Sequence, residues 1–269
     1  MKNFKNIINW KLFFILVAAC IIGSALVLPY SLELTQAELF TEDSEIPAWL
    51  LIILMVIQYL VMFAVVTFFG LLISKKIGLE NGGLRLPILE GILNKEKKSK
   101  EFKALLVPSI CLGILAGGLI IVLSIPFNNA IPEFKNMEAV APVFWKGFLA
   151  SFYGGIAEEV LLRLFFMSLF VWISFKIKKS KDGSPTAVGV WIAIILAAII
   201  FGVGHLPAAA AIAELTEVLI ARTLVLNGIG GIIFGWLYWK KGLESAMIAH
   251  FSADIVLHVI TPLVISIVS

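Results

Sequence analysis

The sequence predicts an all-α, polytopic membrane protein of about eight transmembrane or membrane-embedded helices. Three observations predict it. Of the 269 residues, 60% are hydrophobic and only 14% are charged, against roughly half and about a quarter in soluble domains. The mean hydropathy is +1.02. The apolar residues fall in runs of about 20, the length a helix needs to cross a bilayer, and no polar stretch is long enough to fold alone. We read 1–269 as one membrane domain. Residues 1–143 supply N-terminal spans with a basic cytoplasmic segment at 75–103, and residues 144–260 form the core that holds the chemistry.

Clear spans cover 12–30, 48–73, 104–125, 143–175 and 188–205. The first is too long for the apolar region of a signal peptide and is expected to be a retained span. Beyond Pro207 the pattern weakens. Residues 208–224 carry Glu214, Glu217 and Arg222 and read as a short interfacial or re-entrant helix. Short spans at 226–239 and 243–259 follow, and Pro262 sets apart a last apolar piece at 263–268. The loops alternate in charge. Acidic residues run from Glu33 to Glu45. Basic ones crowd 75–103, with Lys95, Lys97, Lys98 and Lys100 at the centre, and recur at Lys176, Lys178, Lys179, Lys181 and Lys240-Lys241. Lys2, Lys5 and Lys11 precede the first span. Positive loops stay in the cytoplasm, so the expected placement is multi-pass in the cell membrane with a cytoplasmic N-terminus. Binding of anionic lipid is the sharper reading of the basic runs, but their alternation with acidic loops favours topology. Cys20 and Cys111 lie in apolar runs without polar neighbours and read as packing. There is no nucleic-acid module.

Three polar clusters interrupt the apolar C-terminal half: Glu158-Glu159-Val160-Leu161-Leu162-Arg163, Phe201-Gly202-Val203-Gly204-His205 and His250-Phe251-Ser252-Ala253-Asp254. An ionisable side chain in a bilayer costs several kcal/mol, so such residues are functional candidates by default. Glu159 and Arg163 stand four apart, acid first, and share a helix face. Each needs the other in an apolar setting. Glu158 is rotated off that pair and is the carboxylate left to face a cavity. Gly154-Gly155, one turn earlier, permits close helix packing or a helix break. His205 taken alone reads as an interfacial histidine bonded to a neighbouring carbonyl. His250, Asp254 and His258 recur at four-residue spacing. That face fits a metal site, an oxyanion-stabilising surface, or a histidine merely oriented by Asp254, with His258 the most structural of the three. A depth mismatch accompanies these clusters. At about 1.5 Å per residue, His205 falls near one face and His250 in the opposite half, so tilted or broken helices must join them.

No His-Glu-x-x-His zinc helix and no Gly-x-Ser-x-Gly elbow is present. No serine or cysteine pairs with a histidine as nucleophile and base. For a protease, that leaves water as the nucleophile, activated by a carboxylate, a metal, or both.

Together, and in order, the clusters resemble the family of CAAX prenyl endopeptidases and bacteriocin-processing proteins, also called the Abi family of intramembrane glutamic endopeptidases. The family pattern Glu-Glu-x-x-x-Arg, Phe-x-x-x-His, His-x-x-x-Asn/Asp is met by Glu158, Glu159 and Arg163, by Phe201 and His205, and by His250 and Asp254. The lead-in Gly231-x-x-x-Gly235-x-x-Tyr238-x-x-x-Gly242-Leu243, with Ala246-Met247, is also similar. The resemblance covers roughly residues 154–258. It implies an endopeptidase whose water is activated by Glu158 and His205 and whose oxyanion is stabilised by His250 and Asp254, with Glu159 and Arg163 as structural support. It implies a peptide or protein substrate in or at the membrane, lipidated or bacteriocin-like, and no cofactor. Prenyl-processing members carry Asn at the last site, whereas Asp254 can donate a hydrogen bond only when protonated. Two alternatives stand beside this reading. One is a zinc-dependent protease using His205, His250 and Asp254. The other is a non-catalytic membrane scaffold or immunity protein.

Overall fold

The computed structural model describes residues 7–34, 47–77, 86–134 and 143–268. Lys2, Lys5, most of the acidic stretch before the second span, Gly82-Gly83 and Leu84, and residues 135–142 lie outside the described residues. Most of those residues are helical, in the order α1 (Trp10–Leu34), α2 (Ala48–Ile77), α3 (Pro87–Leu93), α4 (Ser99–Ala130), α5 (Phe144–Phe152), α6 (Ser168–Ile177), α7 (Ala187–Gly204), α8 (Leu206–Ala210), α9 (Glu217–Lys241), α10 (Leu243–Asp254) and α11 (Thr261–Val268). π-helical segments Tyr153–Glu158 and Val160–Met167 join α5 to α6, and a third, Ile255–Ile260, joins α10 to α11. Counting each joined run once, seven helices are long and apolar enough to cross a membrane among the described residues. The protein is an integral, multi-pass membrane protein of the all-α class.

The exposed faces of these helices are themselves apolar, with Val61, Leu115 and Ile199 among the side chains turned outward. A helix that is apolar all round has no reason to face water. Inside the bundle, backbones approach through small residues, as lipid-embedded helices generally do. Gly113 of α4 lies against the Ala249 carbonyl of α10, and Gly231 and Gly235 of α9 lie against Ala198 and Ile194 of α7.

Two boundaries differ from expectation. The charged stretch through Glu217 and Arg222 is not part of a separate short helix: it is the first turns of the 25-residue span α9. Thr216 caps that helix by accepting from Leu219 N at 3.3 Å, which satisfies one of its free N–H groups. Arg222 is accommodated by Asn128 Oδ1 at 2.9 Å and by the Phe134 ring. Only α8, after His205, remains as a short separate helix. At the other end, Pro262 does not break the chain, because the π-helical segment before it carries the last span on to Ile267.

The basic region also gains a fixed place. Glu244, in the first turn of α10, accepts from the backbone N–H groups of Ile88 and Leu89 at 3.0 and 2.9 Å. A carboxylate on the free N–H groups of α3 ties this short helix to the end of the bundle that carries the N-terminus.

Candidate active site

The first cluster sits where the long fourth span changes winding. The π-helical turn Tyr153–Glu158 follows directly from α5, and Glu159 begins the next segment. Widened turns of this kind collect at functional sites. Gly154 and Gly155 supply the room. Gly154 lies against the Asp254 carboxylate and the His250 ring, and Gly155 against Phe251 and the Met247 carbonyl. The glycine pair therefore both alters the winding and lets α10 pack close.

Glu159 and Arg163 form an ion pair, Nε to Oε2 at 3.2 Å, with both side chains fully buried. The pair is poorly aligned for a hydrogen bond, and among the described residues the Arg163 Nη1 and Nη2 atoms have no hydrogen-bond partner. The guanidinium instead faces the rings of Phe201 and Phe234, at 5.6 and 5.9 Å from their centroids. Aromatic faces attract a desolvated cation. The other Glu159 oxygen is 2.8 Å from His250 Nδ1. A carboxylate only accepts, so Nδ1 carries the proton and the ring is held with Nε2 turned to the interior. Phe234 stacks on that ring, centroids 4.6 Å apart at 20°.

Glu158 is the carboxylate without a dedicated partner. Its oxygens lie 3.9 Å from His205 Nε2 and 3.6 Å from His250 Nε2. Both distances exceed a direct hydrogen bond and suit groups bridged by one off-axis water. His205 is anchored like His250: its Nδ1–H donates to the Phe201 carbonyl at 2.9 Å, leaving Nε2 toward Glu158. The Glu158 side chain is 18% exposed and that of His205 34%, against 0% for Glu159. Asp254 Oδ1 lies 3.7 Å from His250 Nε2, which closes a ring of carboxylates around one imidazole edge.

Every residue singled out from the three motifs is thus drawn to one place. The depth mismatch is removed by helix crossing. The fourth span meets the last one at Gly147 against His258 and at Gly154 against Asp254. Near its other end, Ser174 meets Gly189 of α7. One long element can then reach both histidines. His258 is not in the ring: it is hydrogen-bonded to the Tyr30 hydroxyl at 3.0 Å. Sequence reasoning missed Phe234. Its position between Gly231 and Gly235, inside the lead-in to the third motif, is the signal that could have found it.

Gly154 yields a direct expectation. A methyl group there would overlap the Asp254 carboxylate and come within 3.2 Å of His250 Nε2. Displacing a reacting group by about 1 Å can cost about 100-fold in rate. Gly154→Ala should therefore lower kcat by about that factor while the protein still inserts and purifies; steady-state assays beside size-exclusion profiles would check it.

Searches of curated proteins and of solved structures return no match. Residues 140–256 match the family model described as Type II CAAX prenyl endopeptidase Rce1-like. That segment contains all three motifs and every side chain of the ring, and it is over residues 140–256 that the chain is similar to this family of CAAX-type intramembrane proteases.

Proposed function

We propose that the protein is a glutamic-type intramembrane endopeptidase. The observation that carries this is the placing of Glu158 within 4 Å of two histidine Nε2 atoms, each fixed from behind by its own Nδ1 anchor. Glu158 takes a proton from the water held between it and His205, and the water oxygen attacks the peptide carbonyl. The doubly protonated His250 ring, its charge balanced by Glu159, donates from Nε2 to the developing oxyanion. On collapse the C–N bond breaks, and the proton held by Glu158 passes to the leaving amine. Asp254 joins the oxyanion side as a donor only in its protonated form. Glu159 and Arg163 hold the ring rather than touch substrate.

The substrate of this reading is a peptide or protein segment at the membrane. Its apolar part, lipid or side chain, has a place beside the ring. An apolar groove of about 510 Å³ opens along the seam of α4 and α10, lined by Ile110, Ile114, Phe152, Gly155, Met247 and Phe251. Gly155 belongs to the same π-helical turn as Glu158.

The test is cleavage by reconstituted protein of a quenched peptide ending in Cys-Val-Ile-Met, with and without a farnesyl group on the cysteine, with and without a strong chelator. The expected result is release of the C-terminal tripeptide at a rate the chelator does not change. Activity lost with chelator and restored by zinc would replace the carboxylate-activated water with a metal-bound one.

A further inference from the structure

The proposed centre is rich in acceptors and poor in neutral donors. Glu158, Glu159 and Asp254 surround one imidazole. A peptide substrate must still have its backbone N–H and C=O groups paired once they leave the lipid headgroups or water. A group able to do both would be an amide, placed at the depth of the ring and facing it.

Asn227 meets these conditions. It lies on α9 seven residues before Phe234, so the two side chains point within about 20° of each other. Phe234 stacks on His250, which makes this the face of α9 that looks at the ring. The depth follows from two contacts. Gly202, three residues before His205, packs against Leu224. His250 packs against Phe234. Glu158 lies close to both histidines, so the ring spans α9 between those levels, and Asn227 falls between them.

Its neighbours on that face are buried: Thr223 at 3%, Phe234 at 2%, and Gly230 with them. Asn227 in their midst is only half-buried, and a side chain added at Gly228 beside it would meet nothing within 4 Å. The buried face is not closed over at Asn227, which leaves its amide within reach of a bound chain. One N–H of its amide donates to the Thr223 carbonyl at 2.9 Å. Among the described residues Oδ1 makes no hydrogen bond, and Nδ2 makes only that one.

We infer that Asn227 is a substrate-binding residue that clamps a peptide group flanking the scissile bond, its Oδ1 accepting from the substrate N–H and its free N–H donating to the substrate C=O. The inference rests on the protease reading. It assigns to α9 the neutral donor that Asp254 does not supply when ionised, and it makes recognition of the chain beside the cut independent of side chain.

The test uses full-length reconstituted protein and the farnesylated Cys-Val-Ile-Met peptide, together with versions N-methylated at one backbone amide at a time around the scissile bond. Wild type, Asn227→Ala and Asn227→Asp are compared, with thermal unfolding as the check on folding. The expected result is a kcat/KM about 100-fold lower for Asn227→Ala on the unmodified peptide, about tenfold for each of the two hydrogen bonds lost. One N-methylated peptide should cost wild type about tenfold and cost Asn227→Ala nothing further, because the bond from the substrate N–H to Oδ1 is already absent there. Asn227→Asp keeps size and acceptor, and should lose about tenfold, the donated bond alone, while folding like wild type. It carries the test if the alanine variant does not fold. Equal kcat/KM for wild type and both variants, or N-methyl penalties that are identical in all three proteins, overturns the inference and leaves the protease reading standing. No cleavage by wild type of any peptide overturns the CAAX form of that reading, and this inference with it.

Discussion

Glu158→Gln should abolish peptide cleavage while leaving the protein folded. The amide matches the carboxylate in size but cannot accept the proton of the attacking water. General-base catalysis by a positioned group contributes about 10²–10⁴ in rate, and no other carboxylate can replace it. Glu159 is committed to Arg163 and to His250 Nδ1, and Asp254 sits on the far side of the His250 edge, against Gly154. A loss of at least 10³-fold in kcat is expected, with the midpoint of thermal unfolding within a few degrees of wild type, since Glu158 makes no contact shorter than 3.6 Å to the histidines. Glu158→Asp separates position from chemistry. It keeps the base and withdraws it by one methylene, so part of the activity should survive. Single-turnover rates for the three proteins, measured on the same farnesylated peptide, decide it. A Glu158→Gln protein that cleaves at more than a tenth of the wild-type rate would remove Glu158 from the role of base.

How far the sequence foretold this arrangement depends on what each part of it needs. The spans were legible because a bilayer imposes a length and a composition that local sequence must meet. The pairing of Glu159, rather than Glu158, with Arg163 was legible because it follows from helical spacing: Glu159 stands four residues from Arg163 and Glu158 does not. Three things were not legible. The start of α9 looks interfacial because Glu217 and Arg222 lower its apolarity, yet Arg222 is accommodated by Asn128, a residue 94 positions away on α4. Only the tertiary contact reveals that. The winding of the fourth span was signalled by Gly154-Gly155 as a possible break, but a π-helical turn and a break carry the same local sequence. The meeting of His205 with His250 depends on crossing angles set by contacts such as Gly147 against His258 and Gly189 against Ser174. These join segments that no periodicity relates.

Arg163→Met is the substitution expected to cost most in stability. It leaves the Glu159 carboxylate, buried at 0% exposure, without its guanidinium and with only the His250 ring beside it. Breaking one side of a buried pair costs about 3–5 kcal/mol, which for a chain of this size lowers the unfolding midpoint by roughly 10 °C. The aromatic pair Phe201 and Phe234 would accept a methionine in place of the guanidinium they flank. The penalty therefore comes from the stranded carboxylate rather than from poor packing. Glu159→Gln in the same chain should restore most of the stability, because a neutral amide needs no counter-ion and its oxygen can still accept from His250 Nδ1. Activity should not return with it. In the proposed mechanism Glu159 balances the charge on the His250 ring as it donates to the oxyanion, and a glutamine cannot. The double variant should melt close to wild type and turn over at least tenfold more slowly. Thermal unfolding in detergent and kcat on the farnesylated peptide, read together for the two single variants and the double, distinguish this from a purely structural pair. A double variant that regains both stability and rate would mean that the buried ions serve the fold alone. One that regains stability without rate would mean that a pair costly to bury is kept for the negative charge it holds behind His250.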